Sequence, residues 1–293
     1  MSNQEIKAIV ELLRANPLGG TLDEMRAQFD GMSSTVASDV DVKAVTANGV
    51  PCELHTPPGA DTKRVIMYVH GGGYVIGSLT SHRALVAELA RAGNCQALAV
   101  DYRLAPEHVF PAAVEDSIAA YQWLCSSGYE PSNIVIAGDS AGGGLTAGTL
   151  VGLKDAGLSL PAAGVCISPW ADMEATGETY QTRKDIDPMV SQALIKPMGE
   201  TYIGKGDFRA PTASPIYADL SGLPPLLIQV GSAEVLYSDA ETLANNAKAA
   251  GVEVTLEEWT DMIHVWHLFF EQLTDGRKAI ARIGEFVKEK TGA

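Results

Sequence analysis

The sequence predicts an α/β fold: a mostly parallel sheet of eight strands with helices on both faces. Three observations predict it. Short apolar runs alternate with helix-like segments in compact strand–helix units. One such unit carries a serine in a tight glycine turn, Gly138-Asp139-Ser140-Ala141-Gly142. Near the front, Asn48-Gly49 joins two alternating segments, the mark of an antiparallel hairpin at a sheet edge.

The elements follow in order. Residues 3–15 place Ile6, Val10 and Leu13 at helical spacing, and Asn16-Pro17 ends that helix. Thr21 and Glu24 form a capping box that opens a second helix with Leu22, Met25 and Phe29 on one face. These two short helices need a partner for their apolar faces, either the core or the mouth of a site. Val40–Thr46 and Val50–Thr56 are the hairpin strands, and Pro57-Pro58-Gly59 closes them. Val65–Val69 is a buried strand running into His70-Gly71-Gly72-Gly73. A helix over Ser81–Ala92, a strand over Gln96–Val100 and a helix opened by Pro111 come next. Asn133–Ala137 is the strand before the serine turn, and Ala163–Ile167 the strand after its helix. From about 174 to 210 the pattern turns polar, with one short helical piece and no strand. This reads as an insertion over the carboxyl ends of the strands, either a lid or a plain surface excursion. Pro224–Val230 is a further buried strand, Ser238 and Glu241 cap the next helix, and Val252–Leu256 alternates as the last strand.

Composition limits the partners. A chain of 293 residues can bury roughly three quarters of its unfolded surface, so a large core is within reach. A formal net charge of −15 opposes binding to nucleic acid or anionic membranes. No apolar run is long enough to span a bilayer. The N-terminus lacks a basic region followed by an apolar core, and the four cysteines, Cys52, Cys95, Cys125 and Cys166, form no C-x-x-C pair. The expectation is a cytoplasmic protein with free thiols.

Two motifs carry chemistry. Strand, sharp turn and helix with serine at the turn is the G-x-S-x-G arrangement that exposes a nucleophile. Gly138 and Gly142 remove side chains that would clash across the turn. The motif occurs by chance in other tight turns, and Gly142-x-Gly144-x-x-Ala147 loosely fits a dinucleotide fingerprint. That fingerprint needs a carboxylate at the tip of the next strand, where this chain has Ser168-Pro169-Trp170. The second motif is the glycine run after the 65–69 strand. It reads either as a tight turn or anion nest, or as bare amides for an oxyanion. Paired with the serine turn, the oxyanion reading prevails, with Gly71, Gly72 and Ala141 as donors. His70 is expected to pin the loop, and Gly73, Gly138, Asp139 and Gly142 to shape the site.

A serine nucleophile needs a base and an acid that orients the base. Glu234 lies four residues past the 224–230 strand; Asp239 is the competing acid, but the dipole of its helix already accounts for an acid there. His264 lies in the loop after the last strand. His267, three residues on, reads as a packing histidine. The expected triad is Ser140, Glu234 and His264.

These motifs together resemble the bacterial hormone-sensitive-lipase family of α/β-hydrolases, in its GDSAG branch of small carboxylesterases. The resemblance runs through His70–Gly73, Tyr102–Glu107, Gly138–Gly143, Ser168-Pro169-Trp170, Asp187-Pro188-Met189 and the His264 loop. Many members carry aspartate where this chain has Glu234. The resemblance implies an N-terminal helical cap over residues 1–45 and a catalytic domain over 46–293, with the 174–210 insertion as further cap. It also implies hydrolysis of short- to medium-chain acyl esters through an acyl-enzyme, no cofactor or metal, a small ester as partner, and often a homodimer. Two rivals stand beside it: an amide, lactone or formamide hydrolase using the same triad, and a non-catalytic small-molecule receptor, which the presence of His264 opposes.

Overall fold

The computed structural model describes residues 2–292. Its centre is one eight-stranded sheet in the order β1-β2-β4-β3-β5-β6-β7-β8. The strands are β1 (Asp41–Ala47), β2 (Val50–Thr56), β3 (Asp61–Val69), β4 (Cys95–Val100), β5 (Ile134–Asp139), β6 (Ala163–Ile167), β7 (Leu226–Gly231) and β8 (Val254–Trp259). The hairpin β1–β2 is antiparallel and β2 joins β4 antiparallel; every pairing from β4 through β3 to β8 is parallel. The expected boundary at residue 45 therefore falls inside β1, which is part of the sheet, and the N-terminal helices end earlier, at Gly31.

The helices are α1 (Ser2–Ala15), α2 (Leu22–Gly31), α3 (Leu79–Gly93), α4 (Ala112–Ser126), α5 (Ala141–Asp155), α6 (Thr179–Thr182), α7 (Gln192–Ile203), α8 (Tyr237–Ala249) and α9 (Thr274–Lys290). Both faces of the sheet are covered. Val65, Met67, Ile134, Ile136 and Cys166 point into one apolar cluster shared with α4, α5 and α8. Ile66, Tyr68, Val135, Ala137 and Val165 point into a second, shared with α3 and α9. This two-sided burial follows from the strands' continuous apolar character. The Thr21–Glu24 capping box forms as expected. Ser238 does not cap α8: it lies inside the helix, and its hydroxyl meets Thr179 of α6 instead. That bond ties the 174–210 segment down onto α8.

The N-terminal helices find different partners. α1 buries Ile6, Ile9 and Leu13 against Met262, Ile263 and Trp266. α2 buries no residue fully and lays Leu22, Met25 and Phe29 on the main cluster. Two side chains fasten it: Arg26 donates to both oxygens of Glu107 (2.7 and 2.8 Å) and to the carbonyls of Val75 and Ala105, and Asp30 accepts from the Ser78 hydroxyl at 2.6 Å. Among the described residues no helix is long and apolar enough to cross a membrane.

Candidate active site

The site forms where the carboxyl ends of β3, β5, β6, β7 and β8 meet. Ser140 sits between β5 and α5 with φ +54°, a left-handed backbone that L residues adopt only under strain. The turn is held by close backbone approach. A Cβ at Gly138 would collide with the carbonyls of Gly142 and Val69, and one at Gly142 with those of Val69 and His70. The predicted need for glycine at both positions is thereby explained. Ser140 lines a cavity of about 70 Å³. Its walls are His264, Gly72 and Gly73 on the floor, and Leu18, Phe29, Met189, Leu194 and Met198 above. The N-terminal segment and the 174–210 insertion both roof the serine.

His264 and Glu234 are paired. The Nδ1–H of His264 meets Glu234 Oε2 at 2.7 Å, and both side chains are almost wholly buried. Glu234 Oε1 accepts from the Gly231 N–H at 2.6 Å and from the Ser168 hydroxyl at 2.8 Å. Burial alone would lower the pKa of His264. The hydrogen bond and charge of Glu234, with Asp187 and Asp139 nearby, outweigh it and leave the pKa above the usual 6.5. With Nδ1 committed to Glu234, Nε2 is the nitrogen left to act as a base. Ser140 and His264 face one cavity without a direct hydrogen bond between them. Such contacts are often long before substrate arrives.

The competing acid and histidine lie elsewhere. Asp239 Oδ2 accepts from the N–H groups of Ala171 and Asp172, both at 3.0 Å, whereas it is Glu234 that meets His264. Full burial, with Asp172 adding, pushes its pKa well above the ordinary value. His267 meets Gln229 Oε1 at 2.8 Å, and burial lowers its pKa to about 3, so it packs as a neutral ring.

The glycine loop corrects one expectation. The Gly71 N–H does not face the cavity; it donates to Asp139 Oδ1 at 3.0 Å inside the protein. Gly72 and Gly73 line the cavity instead, and among the described residues neither of their N–H groups has a protein acceptor. Both have positive φ, and a Cβ on Gly73 would meet Met198 Sδ at 2.5 Å. Ala141 opens α5, so its N–H has no partner within the helix. Gly72 and Gly73 on the cavity wall and Ala141 next to Ser140 thus carry N–H groups without a partner in strand or helix.

Asp139, flagged in the sequence only as part of the turn, organises that loop. Its Oδ1 accepts from Tyr68 at 2.6 Å as well as from Gly71, and its Oδ2 meets His82 Nε2 at 3.2 Å. Burial would raise its pKa, but His82 and Tyr68 hold the carboxyl down to about 2. His70 contacts the loop and two neighbouring rings. Its Nδ1 meets the Gly71 carbonyl at 2.7 Å, and its ring stacks between Tyr102 and His82. Sequence reasoning passed over His82 and named Ser168 and Asp187 only as parts of motifs, with no role of their own. Asp187 accepts from the Met189, Val190 and Val235 N–H groups, fastening the insertion beside Glu234. The Asp-Pro pair and the serine at a strand tip were the visible signals.

Known proteins match this arrangement along its length. The family profile of the alpha/beta hydrolase fold covers residues 66–268. An acetyl-hydrolase of Streptomyces hygroscopicus is 43% identical over 300 residues, spanning all of this chain and 99% of its own. The solved structure of an esterase from the bacterial hormone-sensitive lipase family superposes with a TM-score of 0.96 at 48% identity, covering 99% of each chain. That of EstE5 soaked with p-nitrophenyl butyrate gives 0.96 at 47%, again over 99% of each.

Proposed function

The chain belongs to the α/β-hydrolase fold family, among the carboxylic ester hydrolases of the bacterial hormone-sensitive-lipase type, and from that premise we propose a serine esterase of short acyl esters. Ser140 is the nucleophile. Its Oγ attacks the ester carbonyl as His264 Nε2 takes its proton, and Glu234 holds the resulting imidazolium. The carbonyl oxygen becomes an oxyanion, met by the N–H groups of Gly72, Gly73 and Ala141 and by the positive end of α5. His264 then protonates the departing alcohol, leaving Ser140 acylated. A water activated by the same ring releases the acid and restores the serine.

The observation that carries this reading is the 2.7 Å His264–Glu234 bond beside a strained serine in one roofed cavity. The cavity's modest size supports short acyl groups: about 70 Å³ exceeds the room one water needs severalfold. The named activities of the relatives support ester hydrolysis, and the butyrate ester soaked into EstE5 is of the same size class.

The test is hydrolysis of p-nitrophenyl esters from acetate to palmitate by the wild type and Ser140→Ala. Rates should peak at the short esters and fall by about 10³-fold or more in the variant. A wild type inactive on every ester, or a variant with undiminished rate, would overturn the reading.

A further inference from the structure

Ser168 stands one residue beyond β6, where the chain turns toward Trp170. It is wholly buried, yet its backbone is left-handed, with φ +45°. Its N–H is fixed to the Gln229 carbonyl at 2.7 Å, so the strand tip is anchored from β7. From there one hydroxyl reaches two loops that are remote in sequence. Its Oγ lies 2.8 Å from Glu234 Oε1 and accepts the Val265 N–H at 3.2 Å. Val265 follows His264 directly and is itself left-handed at φ +45°, a costly state for a β-branched residue.

The polarity of this junction is determined. An amide can only donate and an ionised carboxylate can only accept. With Val265 donating into the hydroxyl, the Ser168 O–H goes to Glu234. Ser168 and Gly231 then both donate into Oε1, and Oε2 remains for His264 Nδ1–H. A small buried residue could fill this space with an ordinary backbone. The left-handed turn is what brings the hydroxyl between the two loops.

Building on the Ser140–His264–Glu234 reading, we propose that Ser168 is a positioning residue of the hydrolysis. It orients the Glu234 carboxylate and holds the strained backbone after His264, so acid and base are aligned through one hydroxyl before substrate binds. Without that hydroxyl, the buried Val265 N–H and one carboxylate lone pair lose their partner. The anionic Glu234–His264 pair then binds a proton more tightly, because a donor that stabilised its charge is gone.

Ser168→Ala and Ser168→Gly test this, with p-nitrophenyl butyrate, over about pH 5 to 9. Glycine is at ease with the left-handed backbone, so that variant separates loss of the hydroxyl from failure to fold. For both, kcat should fall about 10- to 100-fold, by analogy with other groups that orient an active-site ligand, with KM within about twofold. The acid limb of kcat/KM should move up by about one unit, the scale of one charge-assisted hydrogen bond. The other groups around His264 (Asp187, Asp139 and neutral His267) are untouched by either change. A folded Ser168→Gly protein with wild-type kcat and an unmoved acid limb overturns the proposal. Ser140→Ala, run in parallel, keeps the two readings apart. If it retains the wild-type rate, the nucleophile assignment fails and the Ser168 role falls with it. If it is inactive while the Ser168 variants match wild type, only the Ser168 role fails.

Discussion

The floor of the cavity and its roof are built on different terms. On the floor, Tyr68, His82, Asp139, Ser168, Glu234 and His264 are all buried and joined side chain to side chain or to backbone by hydrogen bonds of 2.6–3.2 Å. In the roof, Leu18, Phe29, Met189 and Leu194 are only half-buried, and α2 is held by the partly exposed Arg26 guanidinium and a part-buried Asp30–Ser78 hydrogen bond. Buried and fully bonded polar networks are costly to disturb; apolar side chains at a surface repack at little cost. The difference teaches where each property resides. On the proposed mechanism, reaction geometry rests on the strand ends, and the fit to substrate on elements that can be exchanged or shifted.

The largest effect that could break this contrast lies between two buried acids of the floor. Glu234→Gln should cut kcat by about 10³- to 10⁴-fold, because the amide no longer stabilises the imidazolium or fixes its tautomer. Asp239→Asn should leave kcat within about threefold of wild type, since an amide oxygen can still accept from Ala171 and Asp172. Steady-state kinetics on a short ester compare them directly, and equal losses would return the acid's role to dispute. Next is Asp139→Asn, which weakens the hold on Gly71 and hence on the amides of Gly72 and Gly73. Its kcat should fall about 10- to 100-fold with KM nearly unchanged, a pattern a roof residue would not give.

Smaller effects sharpen the roof's side. Met198→Ala removes the side chain above Gly73. The ratio of kcat/KM for hexanoate over acetate esters should rise about fivefold, the scale of one or two methylenes of pocket space. No such shift would move acyl selection away from α7. The smallest effect concerns pH and stability. His55, His70 and His267 are buried and neutral, with pKa values pushed by burial to about 4, 3 and 3, below the unfolded 6.5. As pH falls through 6.5 the unfolded chain takes up protons that the folded one refuses, so their contribution is present above 6.5 and lost toward 4. His264, with its raised value, works the other way for one proton. Calorimetry should find Tm roughly 5 °C lower near pH 5 than near neutrality. All three histidines belong to the sheet and its loops, so acid should loosen the floor rather than the roof.

Much of this was legible in the sequence where a local rule governs. The strands show as continuous apolar runs, Ser140 is marked by its flanking glycines, and Glu234 and His264 stand just past strand ends. What stayed hidden are relations between distant segments. Nothing near residue 71 shows that its N–H turns inward, since the acceptor, Asp139, lies 68 residues on. His82 meets the same carboxylate across 57 residues, and Ser168 meets Glu234 across 66. Ser238 fitted a capping pattern, but the start of α8 shifted by one turn's fraction and its hydroxyl served Thr179 instead. Short-range spacing names the residue types at a site; which amide points where depends on contacts that only the assembled sheet creates.

Four non-glycine residues around the cavity share left-handed backbones: Tyr74, Ser140, Ser168 and Val265, with φ between 45° and 63°. Each such residue costs about 1–3 kcal/mol. Together they hold energy of the same order as the whole net stability of a typical domain, about 5–15 kcal/mol. Relief of backbone strain is nonetheless offset at these positions: glycine at Ser168 would strand the buried Val265 N–H and a Glu234 lone pair, and glycine at Val265 would empty a buried core position. A search for hardier variants that keep their speed belongs at Gly31 and Gly19 instead, where an added Cβ meets nothing within 4 Å and the backbone is ordinary.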